Sequence, residues 1–281
     1  MEEPVRRAWR RLRAWLRGLA FLALTLALLP VFVAASPLGA LPRRRLRQLW
    51  CRLCLALLGL EVSYRGHAAT DCATLLVANH VSYLDILLLG ARTDATFIAK
   101  AEVAGWPLFG PISRAAGTFF VRRHWRDAFA HRNDLAARPG RRHRFTLVAG
   151  GPNTHGLHVL PVKTSLLRAG LVPRLDGLVA VQPVTLAYRA LACGTPIGPA
   201  NCHHFAWFGD ATMVSHLWAM LHQPGCRIEG VFGAPVLSWN VTCRKALGRR
   251  LRQVVQTELA ATAAAPPAPA ASAAGDLRIA A

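Results

Sequence analysis

From Gly18 to Pro42 the chain runs for 25 residues without a charge. As a helix at ~1.5 Å per residue that stretch reaches ~37 Å, enough to cross a ~30 Å hydrocarbon layer. Nothing else in the sequence narrows the possible folds as much, because so apolar a segment has to be covered by protein or by lipid. Its flanks are basic on both sides. Arg6, Arg7, Arg10, Arg11, Arg13 and Arg17 precede it, and Arg43, Arg44, Arg45 and Arg47 follow it. Arginine clusters mark the cytoplasmic side of a membrane segment, so two basic flanks fit a hairpin or an interfacial helix pair better than one crossing. Pro30 and the Ser36-Pro37 pair predict a kinked or re-entrant path rather than one straight helix. A secretory signal peptide ending near Ala34-Ala35-Ser36 is the rival reading. Against it, the apolar core is long and the basic segment after it would have to be exported.

The whole chain shares this character: 34 Lys+Arg against 14 Asp+Glu give a formal charge of +20, yet 53% of residues are hydrophobic. Such a charge calls for an anionic partner, nucleic acid or an acidic membrane surface. The hydropathy favours the anionic membrane. No groove-reading or base-stacking motif is present, so nucleic acid is not an expected partner. Seven scattered cysteines do not read as a disulfide framework, which suits a reducing compartment. Cys51 and Cys54 form a lone C-x-x-C inside an apolar run and read as buried thiols rather than a metal site, as does the isolated Cys202-His203-His204.

After Glu61, short apolar strands alternate with helical stretches, which predicts an α/β fold. Strands are expected at Thr74–Ala78, Ala95–Ala99, Gly117–Val121, Phe145–Ala149 and Arg227–Phe232, and at Leu178–Ala187, interrupted by Pro183. Helices are expected at His124–Ala137, Val214–Leu221 and Arg244–Leu259. The chain therefore divides into a basic, apolar anchoring segment (1–60), a globular domain (61–259) and an Ala/Pro-rich flexible tail (260–281).

The sharpest chemical signal is Asn79-His80-Val81-Ser82-Tyr83-Leu84-Asp85, directly after a strand. Five residues along a regular helix turn about 140°, so His80 and Asp85 meet only if a turn separates them and a helix starts near Ser82. Ser82-x-x-Asp85 has capping-box spacing. Two readings stand level on these residues alone. In one, Asp85 caps a helix and His80 is a turn residue. In the other, Asp85 also holds one imidazole nitrogen of His80 and leaves the second as a base.

Further segments follow in order: Lys100-Ala101-Glu102, then Trp106-Pro107-Leu108-Phe109-Gly110, then Gly117-Thr118-Phe119-Phe120-Val121-Arg122. Beyond them come Gly150-Gly151-Pro152, Leu160-Pro161-Val162-Lys163 and Val181-Gln182-Pro183-Val184. The set resembles the glycerophospholipid acyltransferase family, in particular its bacterial 1-acylglycerol-3-phosphate acyltransferases, over about residues 45–240.

The resemblance implies a mixed sheet flanked by helices, with an N-terminal helical membrane-associated element at the bacterial inner membrane and the catalytic domain facing the cytoplasm. It implies acyl transfer from acyl-CoA or acyl carrier protein to the free hydroxyl of lysophosphatidic acid or another lysophospholipid acceptor, with no metal or other cofactor. By the same resemblance His80 is the general base and Asp85 orients it. Asn79, Ser82 and Gly151 join the substrate-binding set, and Lys100 and Arg122 hold the acceptor phosphate, a point charge and a guanidinium fork against a dianion. The third block departs from the family pattern. Where the family carries F-P-E-G-T, this chain has Val148-Ala149-Gly150-Gly151-Pro152, so only Gly151 survives and Gly150 replaces the glutamate. Two alternatives follow: a lyso-ornithine-type aminolipid acyltransferase, or a catalytically impaired membrane-bound relative.

Overall fold

The uncharged stretch folds as most of helix α1 (Pro4–Ala35), and the chain then reverses and returns as α2 (Ala40–Leu58). Trp50 Nε1 donates to Thr25 Oγ1 at 3.2 Å, and the Phe21 and Trp50 rings lie 6.2 Å apart. The two helices thus run back along each other as a hairpin. Pro30 does not break α1, which continues through it; the reversal falls between Ala35 and Ala40. Leu12, Trp15, Leu16, Leu19 and Leu26 of α1 stay exposed. Among the described residues α1 is the one helix long and apolar enough to cross a membrane.

The computed structural model describes residues 4–35, 37–106, 109–121, 144–148, 153–162, 164, 167, 179–237 and 243–265. Within them the strands are β1 (Leu60–Arg65), β2 (Ala73–Ala78), β3 (Thr96–Lys100), β4 (Phe119–Val121), β5 (Arg144–Val148), β6 (Val179–Leu191), β7 (Cys226–Phe232) and β8 (Val236–Leu237). The remaining helices are α3 (Leu84–Arg92), α4 (Phe109–Ala115), α5 (Met213–Leu221) and α6 (Arg244–Ala264). They form one mixed sheet in the order β1-β7-β6-β2-β5-β3-β4, with β8 beside β6. β6 runs antiparallel to β7 and β8, while β2 lies parallel to both β5 and β6. The expected helix at 124–137 lies outside the described residues.

β2 explains the layering. All six of its residues are buried, as a central parallel strand covered on both faces requires. Leu76 and Ala78 point into the core beneath α1, α2 and α3. Leu75 and Val77 point the other way, against Leu247 and Leu251 of α6. The 1–60 segment is not a separate body, because Ala14, Phe32, Trp50, Cys54 and Leu58 belong to the first of these cores. Cys51 and Cys54 are free and buried, and a Cβ on Gly90 of α3 would stand 2.7 Å from Cys51 Sγ. The C-x-x-C motif therefore serves a close helix contact.

Three further departures have physical causes. Pro183 does not interrupt β6. Its carbonyl accepts from Gly233 N, so its nitrogen edge faces the gap between β7, which pairs at Val184, and β8, which pairs at Val181. No ladder bond is lost there. α6 runs to Ala264, into the segment read as tail, because its alanines favour helix and Leu259 and Thr262 are buried. Last, several arginines read as membrane-side markers work inside the fold. Arg13 donates to the His222 carbonyl, and Arg17 reaches Gln223 O at 2.6 Å and Pro224 O at 3.0 Å. Both cover carbonyls at and just beyond the end of α5. Arg44 lies 3.6 Å from Asp94, and Arg47 is buried against the Phe97 ring at 5.6 Å.

Candidate active site

β2 delivers the motif. The chain leaves the sheet after Ala78, turns through Asn79–Tyr83 and enters α3 at Leu84, with Asp85 in its first turn. Asp85 is fully buried. Its Oδ2 lies 2.8 Å from His80 Nδ1 and accepts from Val81 N at 2.8 Å and Ser82 N at 3.1 Å. One carboxylate oxygen thus closes the turn and also meets the imidazole, so Asp85 makes the contacts that both readings ask of it. Only half of the capping box forms: Ser82 Oγ is buried and has no hydrogen-bond partner among the described residues.

His80 is one-fifth exposed. With Nδ1 turned inward, Nε2 is the ring nitrogen not used by Asp85. His80 borders a cavity whose wall carries Asn79, Thr154, His158 and Arg252 as polar residues and Leu160, Val162, Leu251 and Val255 among the apolar ones. Arg252 Nε donates to Val159 O at 2.9 Å, which ties α6 to the rim.

Neighbouring segments fix the turn from several sides. Asn79 Nδ2 donates to Leu186 O at 2.9 Å, and Leu186 N donates to Asn79 Oδ1 at 2.8 Å. The Asn79 amide is thus anchored to β6, while Asn79 also lines the cavity beside His80. Thr154 N and Oγ1 both donate to His80 O, at 3.0 and 3.3 Å. Gly156, with φ +81°, packs against Val81, and a Cβ there would meet Val81 Cγ1 at 3.0 Å. Trp207 N donates to Val81 O at 2.9 Å. The Tyr83 hydroxyl lies 3.0 Å from His216 Nδ1 on α5, and burial pushes the Tyr83 phenol up while holding the His216 imidazole below its usual range. Of the other expected site residues, Lys100 ends β3 and pairs in register with Val121 of β4. Arg122, Gly150 and Gly151 lie outside the described residues.

The comparisons with known proteins concern this same region. A family model described as Acyltransferase matches residues 60–186. Over 277 residues the chain is 34% identical to the lyso-ornithine lipid O-acyltransferase of Rhizobium meliloti (strain 1021), covering 94% of each chain. The chain belongs to this acyltransferase family. The acyltransferase is also 32% identical over 132 residues to the 1-acyl-sn-glycerol-3-phosphate acyltransferase of Neisseria gonorrhoeae, over 47% of this chain and 50% of that one. Its fold matches the crystal structure of the 1-acyl-sn-glycerophosphate (LPA) acyltransferase PlsC from Thermotoga maritima with a TM-score of 0.66, at 19% identity, covering 91% of this chain and 98% of that one.

Three residues that hold the acyltransferase site, Tyr188, Thr154 and Trp207, are missing from the sequence-based expectations. Tyr188 of β6 donates its hydroxyl to Asp85 Oδ1 at 2.9 Å. Val184, Leu186 and Tyr188 alternate onto one buried face, and a hydroxyl among aliphatic side chains has to find a partner. That pattern was the available signal. Thr154 and Trp207 carried none, since their contacts to the turn run largely through backbone atoms.

Proposed function

We propose that this acyltransferase transfers an acyl chain from acyl-CoA or acyl carrier protein to the free hydroxyl of a lyso-ornithine-type lipid at the cytoplasmic membrane. The observation that carries the chemistry is the His80–Asp85 contact at 2.8 Å beside a cavity with apolar walls. His80 Nε2 takes the hydroxyl proton as the oxygen attacks the thioester carbonyl. The tetrahedral adduct then collapses, the carbon–sulfur bond breaks, and the proton on His80 goes to the departing thiolate. Asp85 keeps Nδ1 protonated and the ring aligned. Because the acceptor oxygen is itself the nucleophile, no acyl-enzyme is required.

The acceptor assignment rests on extent of similarity. The Rhizobium relative matches nearly end to end, whereas the 1-acyl-sn-glycerol-3-phosphate acyltransferase of Neisseria gonorrhoeae matches over half of its own length. An ornithine headgroup offers a carboxylate where lysophosphatidic acid offers a phosphate, and Lys100 and Arg122 suit either anion. Lysophosphatidic acid is the second reading, favoured by the motif blocks and by the Neisseria gonorrhoeae relative. The exposed apolar face of α1, with Trp9, Trp15, Leu16 and Leu19, supports attachment to the membrane through the helical hairpin.

Expression in a host that makes lyso-ornithine lipid but lacks its own O-acyltransferase tests the reading. Lipid extracts should gain a species heavier by one acyl chain. Rescue of a lysophosphatidate acyltransferase mutant with no such species would favour the second reading.

A further inference from the structure

We infer that Tyr188 is a positioning residue for the general base, acting through Asp85, and that β6 is the strand that aligns the site. The inference rests on His80 being the base. β6 holds the motif at both ends: Leu186 occupies both polar atoms of the Asn79 amide, and Tyr188, two residues on and on the same face, holds Asp85 Oδ1. His80 sits between these two fixed points.

The bonds at Asp85 divide cleanly between its oxygens. Oδ2 is shared by His80 Nδ1, Val81 N and Ser82 N. Oδ1 receives Tyr188. Without that fourth donor the carboxylate can rotate about its last bond and still satisfy the two backbone N–H groups, so the phenol is what fixes the plane in which His80 is gripped. Burial, the Asp85 charge and the hydrogen bond to it together raise the Tyr188 phenol well above its usual range, so Tyr188 remains a donor across neutral pH. The pairing of β6 with β7 slips between Tyr188 and Ala190, and an irregularity beside a site re-aims a side chain.

The titratable and charged groups around the pair are few. Tyr83 and Cys226 of β7 face Tyr188. His158 and Arg252 stand on the wall of the cavity that His80 borders. None of these is bonded to Asp85 in the described contacts.

Tyr188→Phe keeps the ring and deletes the donor. A carboxylate stripped of one donor binds the imidazolium form of His80 more tightly, so the acid limb of kcat/KM should move to higher pH. The expected result with the full-length purified protein is a fall in kcat of about tenfold, with both KM values within about twofold and the acid limb raised by about half a pH unit. Replacing Tyr188 with 3-fluorotyrosine, a stronger donor of nearly the same shape, should move the limb the opposite way. A purely structural tyrosine would lower the thermal midpoint and leave both limbs in place, and that result overturns the inference. So would an unchanged kcat in folded Tyr188→Phe. His80→Ala run in parallel separates the two readings: if it retains wild-type turnover, the base assignment fails; if it is inactive while the Tyr188 variants titrate like wild type, only the role of Tyr188 fails.

Discussion

His80 Nδ1 stands 2.8 Å from Asp85 Oδ2 across a turn that begins at the end of a buried strand and finishes in the first turn of α3. The contact places an oriented imidazole at the rim of a cavity while its carboxylate partner stays out of water. His80 lies outside the buried apolar clusters. His80→Ala is therefore expected to lower acyl transfer by ~10²–10⁴ in rate while leaving the thermal midpoint close to wild type. A purified, folded His80→Ala sample with near-normal turnover would remove His80 from the chemistry.

Asn79 should behave in the opposite manner. Its amide bridges the N–H and C=O of Leu186, so Asn79→Ala leaves two buried backbone groups bare and should cost ~1–3 kcal/mol of stability. The KM for acceptor should stay near wild type when measured well below the variant's melting temperature. A selective rise in acceptor KM with unchanged stability would restore the substrate-binding role that the motif resemblance assigns to it.

These two residues show how far the sequence can be read. β2, β3, β5 and β7 stand within one residue of their expected bounds, because buried strand positions leave apolar runs or, in β7 with its Arg227 and Glu229, an apolar alternation. The meeting of His80 and Asp85 follows from a spacing that only a turn can reconcile. What could not be read is who holds the turn. Tyr188 lies 103 residues from Asp85, and Leu186 lies 107 from Asn79. Local patterns carry no record of sheet order. The two roles of arginine were hidden for a related reason: charge beside an apolar segment looks the same whether it faces lipid headgroups or, like Arg13 and Arg17, carbonyls at the end of another helix.

That second role is testable. Arg13 and Arg17 tie α1 to the end of α5, and the Trp15 and Trp218 rings meet edge to face at 5.0 Å. The double variant Arg13→Ala/Arg17→Ala should lose ~1–2 kcal/mol of stability and become more sensitive to proteolysis between α1 and α2, with kcat on detergent-dispersed acceptor largely kept. Unchanged proteolysis would mean that these arginines act on the membrane alone.

Stability should also depend on pH through the buried His216. Desolvation holds its folded-state pKa below the usual 6.5, so the unfolded chain binds the proton more readily. The associated stability is complete above about pH 6.5 and is lost as pH falls toward the lower folded-state value. His155 and His204 are lowered in the same direction by burial but are more exposed and count for less. Thermal melts across this range should show the loss, and His216→Gln should flatten it. An equal slope in that variant would assign the effect to other groups.

The central claim is that an oriented His80 drives acyl transfer to a lyso-aminolipid hydroxyl, and one competition assay tests it most directly. Purified wild type and His80→Ala are given acyl carrier protein loaded with a labelled acyl chain, together with equal amounts of lyso-ornithine lipid and lysophosphatidic acid. The account predicts label chiefly in ornithine lipid with wild type and almost none with His80→Ala. Label chiefly in phosphatidic acid would contradict the acceptor assignment, equal labelling by both proteins would contradict the mechanism, and no labelling by wild type with acyl-CoA substituted as donor would leave the chain a catalytically impaired relative.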